Sequence, residues 1–210
     1  DISLSDDGPY FTTQTVVVNY VASDTCDADP VVKVELSNNG NEPVNITSDS
    51  PIELDLAELA GQNVITVTAI DACGNINTSS IDFEVILQLT GSQLRIEPET
   101  LKMNPGVFTA FVIFPAPYDA ATISEVTADG ASHRKINNDA SNNKAIIKFN
   151  RVDLAILPVD TYFEVSGSFI YNGAVCRFIG SDEIKKVQDD EAPPENVEDS
   201  SDNGKKDKGK

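Results

Sequence analysis

Two short turns hold the residues best suited to chemistry. In SDTCDADP, Asp24, Asp27 and Asp29 surround Cys26; in DACGN, Asp71 and Asn75 flank Cys73. Carboxylate and side-chain amide oxygens are the hard ligands that calcium gathers in sets of six to eight. Asp6 and Asp7 can approach them from the N-terminal entry. Asp and Asn are equally ordinary turn formers, because their short side chains bond their own backbone, so both readings stand at this point. Three cysteines are too few for a disulfide scaffold and lack the paired spacing of a zinc site, which leaves one pair and one spare as the simplest arithmetic. Cys176 is then the leftover thiol, by default a buried structural one.

Catalysis finds less support. His133 is the only histidine, set in the polar stretch ADGASHRKIN, and neither a G-x-S-x-G elbow nor H-E-x-x-H accompanies it. A glycosidase needs only two correctly spaced carboxylates, and abundance among 34 acids does not supply that spacing. The expectation is a non-enzyme. Asn45-Ile46-Thr47 and Asn77-Thr78-Ser79 are glycosylation sequons, compatible with export.

The elements that must position these turns are strands. From Val64 to Ile70 the β-branched run VITVTAI alternates, with Val64, Thr66, Thr68 and Ile70 on one face and Ile65, Val67 and Ala69 on the other. QTVVVNYVAS, VVKVELS, PVNITS, PIELDLAEL and SSIDFEVIL repeat that rhythm between Asn, Gly, Asp and Pro turns. Only LDLAELAG hints at a helical turn. Seven or so short strands spaced in this way predict an antiparallel sandwich. Beyond the punctuation LTGSQ, a second set begins with QLRIEP and VFTAFVIFP and ends with YFEVSGSFIYNG and AVCRFIGSDEIKKV. Tyr171-Asn172-Gly173 marks a hairpin, and RVDLAIL a further helical turn. Its expected core is Ile96, Leu101, Phe108, Phe111, Ile113, Ile147, Phe149, Phe163, Val165, Phe169 and Phe178.

The fold class is therefore all-β, two tandem antiparallel sandwiches over residues 1–88 and 89–188. The linker is too short for free swivelling, so the two should touch end to end. Residues 189–210 contain one strong hydrophobe, Val197, and read as a disordered acidic tail. Of the net charge of −19, the tail's 8 acids and 4 lysines account for −4; the folded part keeps 26 acids, 11 bases and −15. Such a surface repels phosphate backbones and anionic lipid heads, which argues against nucleic acid and membrane binding. No apolar run approaches the roughly 18 residues of a membrane span. An opening at Asp1, without a basic-then-apolar segment, fits a mature chain or an excised fragment.

IELDLAELAGQNVITVTAIDACGNINTSSIDFEV resembles the second half of bacterial immunoglobulin-like repeats of surface proteins, where a Leu-rich piece precedes a T-V-T-A-x-D-x-x-G-N strand and turn. SDTCDADPVVKVEL is similar to the early stretch of hyalin-type repeats, in which a D-x-C-D segment pairs with D-A-C-G-N. This likeness, over residues 10 to 86, implies an extracellular module, with Asp71 and then Asn75 helping to hold calcium near a domain junction. It also implies a Cys26–Cys73 disulfide, which fits two thiols in Asp-rich turns at one end of the sandwich. Closing that loop of about 48 residues contributes about 4 kcal/mol in the chain-entropy model and calls for an oxidising compartment.

Residues 93 to 187, through IEPETLKMNPGVFTAFVIFPAPYDAATI, KAIIKFNRVDL and FEVSGSFIYNGAVCRFIGSDEIKKV, resemble a β module appended to many secreted bacterial and archaeal proteins. In that module an acidic loop built for calcium precedes the I-x-K-F strand. Here INNDASNNKAIIKF leaves Asp139 among Asn137, Asn138, Asn142 and Asn143. The functional expectation is a non-catalytic extracellular or cell-surface spacer of a larger secreted protein, stiffened by calcium and contacting neighbouring domains or other surface proteins. The alternative is a carbohydrate-binding accessory module of a secreted hydrolase, although Trp is absent and the five tyrosines are scattered.

Overall fold

A computed structural model describes residues 1–6, 8–23, 30–46, 49–102, 105–154 and 161–187. The Asp24–Asp29 turn with Cys26, Asp7, Thr47 of the first sequon and the expected tail all lie outside the described residues.

The first half runs through β1 (Ile2–Leu4), β2 (Tyr10–Phe11), β3 (Thr15–Tyr20), β4 (Val31–Asn38), β5 (Val44–Asn45), β6 (Ile52–Asp55), β7 (Gly61–Ile70) and β8 (Ile76–Leu89). One sheet is β1-β3-β6; the other is β5-β4-β7-β8, with β2 lying parallel against β8. Alternation decides what each strand buries. Val16 and Val18 of β3 face Val34, Ile65, Val67, Phe83 and Val85 of the opposite sheet, and Leu56 closes one end.

In the second half β9 (Leu94–Glu97), β10 (Thr100–Lys102), β11 (Val107–Ile113), β12 (Ser124–Ala128), β13 (Ala131–Asp139), β14 (Lys144–Asn150), β15 (Thr161–Tyr171) and β16 (Ala174–Val187) follow. β9-β11-β14-β13 form one layer and β12-β15-β16-β10 the other, with the start of β13 pairing back onto β12. Both halves are immunoglobulin-like sandwiches by strand order. They open in the same way. β1 and β9 pair within one sheet, the chain passes Pro9 or Pro98, and β2 or β10 then joins the last strand of the other sheet. A proline has no N–H to give to a ladder, so pairing lapses there and the strand is free to change sheets.

Two sequence expectations are corrected. Phe111 and Ile113 do not belong to the core: Phe108, Ala110 and Val112 of β11 point inward, and Ile113 is 37% exposed. Phe108 and Phe111 are three apart, and a period of two cannot bury both on one face. Their places are taken by Leu94, Phe114, Tyr118, Ile123 and Val126. Cys176, expected as a buried structural thiol, does point inward and is buried.

The halves are joined through β8. Its Phe83 and Val85 belong to the first core and its Leu87 and Leu89 to the second, where Leu87–Leu89 pair in parallel with Phe178–Gly180 of β16. Gly180 permits this: a Cβ there would come within 2.9 Å of the Leu89 Cβ. One strand thus serves both sandwiches.

Candidate functional site

Two regions carry polar chemistry: the outer pole of the first sandwich and the contact between the sandwiches.

At the pole, the β7–β8 turn is built on Asp71. Its Oδ1 accepts from Cys73 N at 2.9 Å and Asn75 N at 2.8 Å, and its Oδ2 from Asn75 Nδ2 at 2.6 Å. Gly74, at φ +84, closes the turn by donating to Asp71 O. The hydrogen bonds from Asn75, then those from Cys73 and Gly74, hold the exposed Asp71 carboxyl below the usual carboxylate range. An ionised carboxylate has about four acceptor sites, and the turn takes three, so a cation here has to draw most of its ligands from elsewhere. The cleft beside it, about 370 Å3, is lined by Asp1, Ser23, Pro30, Asp71, Asn75 and Asn77 among others. Ser23 and Pro30, the described residues on either side of positions 24–29, both line this cleft with Asp71. Among the described residues no group of three or more His, Cys, Asp or Glu is placed to hold a metal ion.

Asp1 joins this cleft where Asp6 was expected. Asp6 turns away, accepting from Gly8 N at 3.1 Å and lining a separate cleft with Asp82 and Glu84. Among the described residues Cys73 and Cys176 carry free thiols, Cys73 exposed. Asn45 on β5 and Asn77 on β8 are both exposed.

The contact between the sandwiches was not anticipated in any detail. Asn38 at the end of β4 and the Asn39-Gly40 turn that follows meet the Tyr171–Gly173 hairpin that joins β15 and β16. Asn39 Nδ2 donates to Ala60 O at 3.0 Å and Tyr171 O at 3.3 Å, while its Oδ1 accepts from Gln62 N at 2.9 Å. Asn172 Nδ2 donates to Asn38 Oδ1 at 2.9 Å. Tyr118 reaches across from the second sandwich, its hydroxyl donating to Ala57 O at 2.8 Å and accepting from Ala60 N at 3.1 Å. Burial drives the Tyr118 hydroxyl well above its ordinary pKa, so it stays a donor. Asn63, fully buried, is satisfied by Leu59 O, Gly61 O and Asn38 Nδ2. On the outside, Arg177 forms a bidentate pair with Glu84 at 2.7 and 2.6 Å. Gly61, at φ +105, leaves room for Asn39 and Cys176. Tyr171-Asn172-Gly173 was legible as a turn; its use as a clamp had no local signal.

The remaining polar candidates are structural. His133 Nδ1 sits 3.2 Å from Val126 N and 3.1 Å from Val126 O. Asp139 accepts from Ser141 Oγ at 2.6 Å and Asn142 Nδ2 at 2.8 Å. Asn143, left-handed at φ +47, accepts from Ala120 N and donates to Phe114 O and Tyr118 O, fixing the loop that carries Tyr118.

No family model and no curated protein matches the chain. Among solved structures it matches an ICAM-5 D1–D4 ectodomain fragment with 8% identity and a TM-score of 0.40, over 90% of this chain and 54% of that one. A Ca2+-stabilized adhesin with which an Antarctic bacterium binds ice matches with 18% identity and a TM-score of 0.33, over 90% and 49%. SGBP-B of the Bacteroides ovatus mixed-linkage glucan utilization locus, in complex with a mixed-linkage heptasaccharide, matches with 10% identity and a TM-score of 0.26, over 89% and 47%. The chain spans about half the length of each.

Proposed function

We propose that this chain is a non-catalytic, extracellular or cell-surface spacer: two immunoglobulin-like sandwiches locked into one stiff segment of a larger secreted protein. The observation that carries this is the junction, where a shared strand, a buried tyrosine hydroxyl and an amide cluster all act at one contact. Independent swivelling would break the β8–β16 ladder and leave Ala60 N, Ala57 O and the Asn39 amide without partners. Each such buried group left unsatisfied costs about 1–3 kcal/mol, enough to keep the bent states sparsely populated. Stiffness therefore comes from hydrogen bonds and packing at this contact, with no need of an ion there. Small-angle scattering on the intact chain tests this. A single fixed arrangement of the two sandwiches that fits the curve at both low and high salt is expected; a broad distribution of inter-sandwich distances would overturn it.

At the outer pole of the first sandwich we assign a Cys26–Cys73 bridge, formed on export, and a calcium ion shared by Asp71, Asn75 and the carboxylates of Asp24, Asp27 and Asp29. The placement of Ser23 and Pro30 beside Asp71 supports both assignments. Alkylation of non-reduced secreted protein should spare Cys26 and Cys73, and excess EDTA should lower the melting temperature of the first sandwich. Free alkylation at both positions removes the bridge; an unchanged melting temperature removes the ion.

A further inference from the structure

The outer face of β9-β11-β14-β13 is basic in a protein that is otherwise strongly acidic. Arg95, Arg134, Lys135, Lys144 and Lys148 are five of the eleven bases in residues 1 to 188. Strand register gathers them. Lys148 stands opposite Lys135 across the β13–β14 ladder, Lys144 is two rows along the same face, and Arg134 sits in the bulge beside Lys135. Arg95 and Lys144 lie over the Phe111 ring, at 5.3 and 4.7 Å from its centroid.

Like charges directly opposite in a ladder destabilise it. Acids relieve only the Arg95 and Lys144 end of this patch. Glu97 pairs with Arg95 at 2.6 Å, Asp139 stands opposite Lys144 while also bonding its own loop, and Glu99, Asp182 and Glu183 line a cleft with both cations. Among the described residues no salt bridge reaches Arg134, Lys135, Lys144 or Lys148. Phe111, Ile113 and Ile146 add a partly exposed apolar strip between the cations. A flat sheet face with spaced cations suits an extended acidic strand of chain rather than a compact ion.

We propose that this face docks the chain's own acidic segment, residues 189–202. That segment, DDEAPPENVEDSSD, holds seven carboxylates and no base. It begins two residues beyond the end of β16 at Val187. The 15 residues from 188 to 202 reach about 50 Å when extended, enough to cross a four-stranded face. Tethering supplies the rest: a short flexible linker presents its segment at an effective concentration on the order of millimolar. A free polyanion has to approach a folded part of net charge −15 from solution. The attached segment is already there.

Zero-length carbodiimide cross-linking of the intact chain tests the proposal. It joins a carboxylate to a lysine amine only where the two touch, with loss of water. At low salt, amides between the carboxylates of 189–202 and Lys135, Lys144 or Lys148 are expected, and in roughly 0.5 M salt they should fall several-fold. A 14N/15N mixture of the chain should give these links within one molecule. Links mainly between isotopically different molecules would assign the face to a second copy, and links mainly to Lys33, Lys185 or Lys186 would show no preference for it; either overturns the proposal. As an independent readout, changing all seven acids to Asn or Gln should raise acetylation of Lys148 about threefold, and no change overturns it. Binding of heparin, used as a probe polyanion, without loss of the intramolecular links would likewise refute the docking.

Discussion

The Asn39-Gly40 turn of the first sandwich and the Asp129-Gly130 turn of the second occupy the same place in the fold and have the same backbone. Both lie at the far end of the strand that pairs with the next-to-last strand's sheet, and both are left-handed at two successive residues: φ +54 and +75 in one, +43 and +84 in the other. Each first residue donates its N–H to the next-to-last strand, Asn39 to Gln62 O at 2.7 Å and Asp129 to Glu164 O at 3.0 Å. Each accepts a backbone N–H on Oδ1 in return, at 2.9 and 3.4 Å. The remaining polar atom differs. Asn39 Nδ2 donates across to the second sandwich, whereas Asp129 Oδ2 is buried without a hydrogen-bond partner among the described residues. Two equivalent turns are put to different uses within this chain, and a single side-chain atom, a donor in Asn39 and an acceptor in Asp129, marks the difference.

The largest effect that could break this comparison belongs to Gly61→Ala. A Cβ at φ +105 would strike Asn39 Oδ1 and lie 2.7 Å from Cys176 Sγ, so backbone strain and overpacking coincide at the clamp. A loss on the order of 4 kcal/mol is expected, with calorimetry resolving two transitions in the variant and a single one in the wild type as the expected outcome. Gly40→Ala is the control. Its Cβ meets nothing within 4 Å, so only the left-handed strain of about 1–2 kcal/mol remains. Equal losses in the two variants would mean that the contact at Gly61 does not hold the sandwiches together.

Next comes the exchange of the two side chains. Asn39→Asp replaces a donor with a carboxylate oxygen facing Ala60 O and Tyr171 O, and about 2–3 kcal/mol should be lost in denaturant titrations. Tyr118→Phe leaves Ala60 N and Ala57 O unpaired and should cost about 1–3 kcal/mol through the same contact. The two losses should fall short of adding in the double variant, because both act on Ala60. Strict additivity would argue against a single clamp.

How much of this was legible follows from distance along the chain. Strands, turns and the hairpin at Tyr171 show in local pattern, because alternation and left-handed residues are properties of neighbours. The Asp71 turn was legible for the same reason: all its partners lie within four positions. The clamp was not, since Asn39 meets Tyr171 across 132 positions and Tyr118 meets Ala60 across 58, and neither residue has an unusual neighbourhood in sequence. Phe111 was misassigned because hydrophobicity was allowed to outweigh alternation. Reading β11 strictly by twos places it outside, where Arg95 and Lys144 cover it.

A smaller effect tests the other turn. Burial pushes the Asp129 carboxyl up, and its hydrogen bond from Glu164 N only partly offsets this. A folded-state value above the unfolded one means that ionised Asp129 opposes folding at neutral pH, and that the opposition fades as pH falls through the raised value to the ordinary 3.8. Asp129→Asn should therefore raise Tm at pH 7 by a few degrees at most, about 1 kcal/mol or less, and the advantage should shrink toward pH 3. A Tm advantage that persisted at low pH would point to a cause other than charge.

The smallest effect, and the one of opposite sign, belongs to Asp71. Its carboxyl is held low by the Asn75 and Cys73 hydrogen bonds, so it contributes stability above the ordinary 3.8 that is lost as pH falls through the depressed value. Asp71→Ala should lower Tm slightly at neutral pH and hardly at all in strong acid, the mirror image of Asp129→Asn. Calcium separates the two roles of this residue. As a turn former Asp71 loses the same three hydrogen bonds with or without the ion, so the Tm difference between wild type and variant should then ignore EDTA. As a ligand it also loses the ion, and the difference should widen when calcium is present. A gap that is equal in calcium and in EDTA would leave Asp71 with the turn alone, and the carboxylates of the Asp24–Asp29 segment without the partner assigned to them.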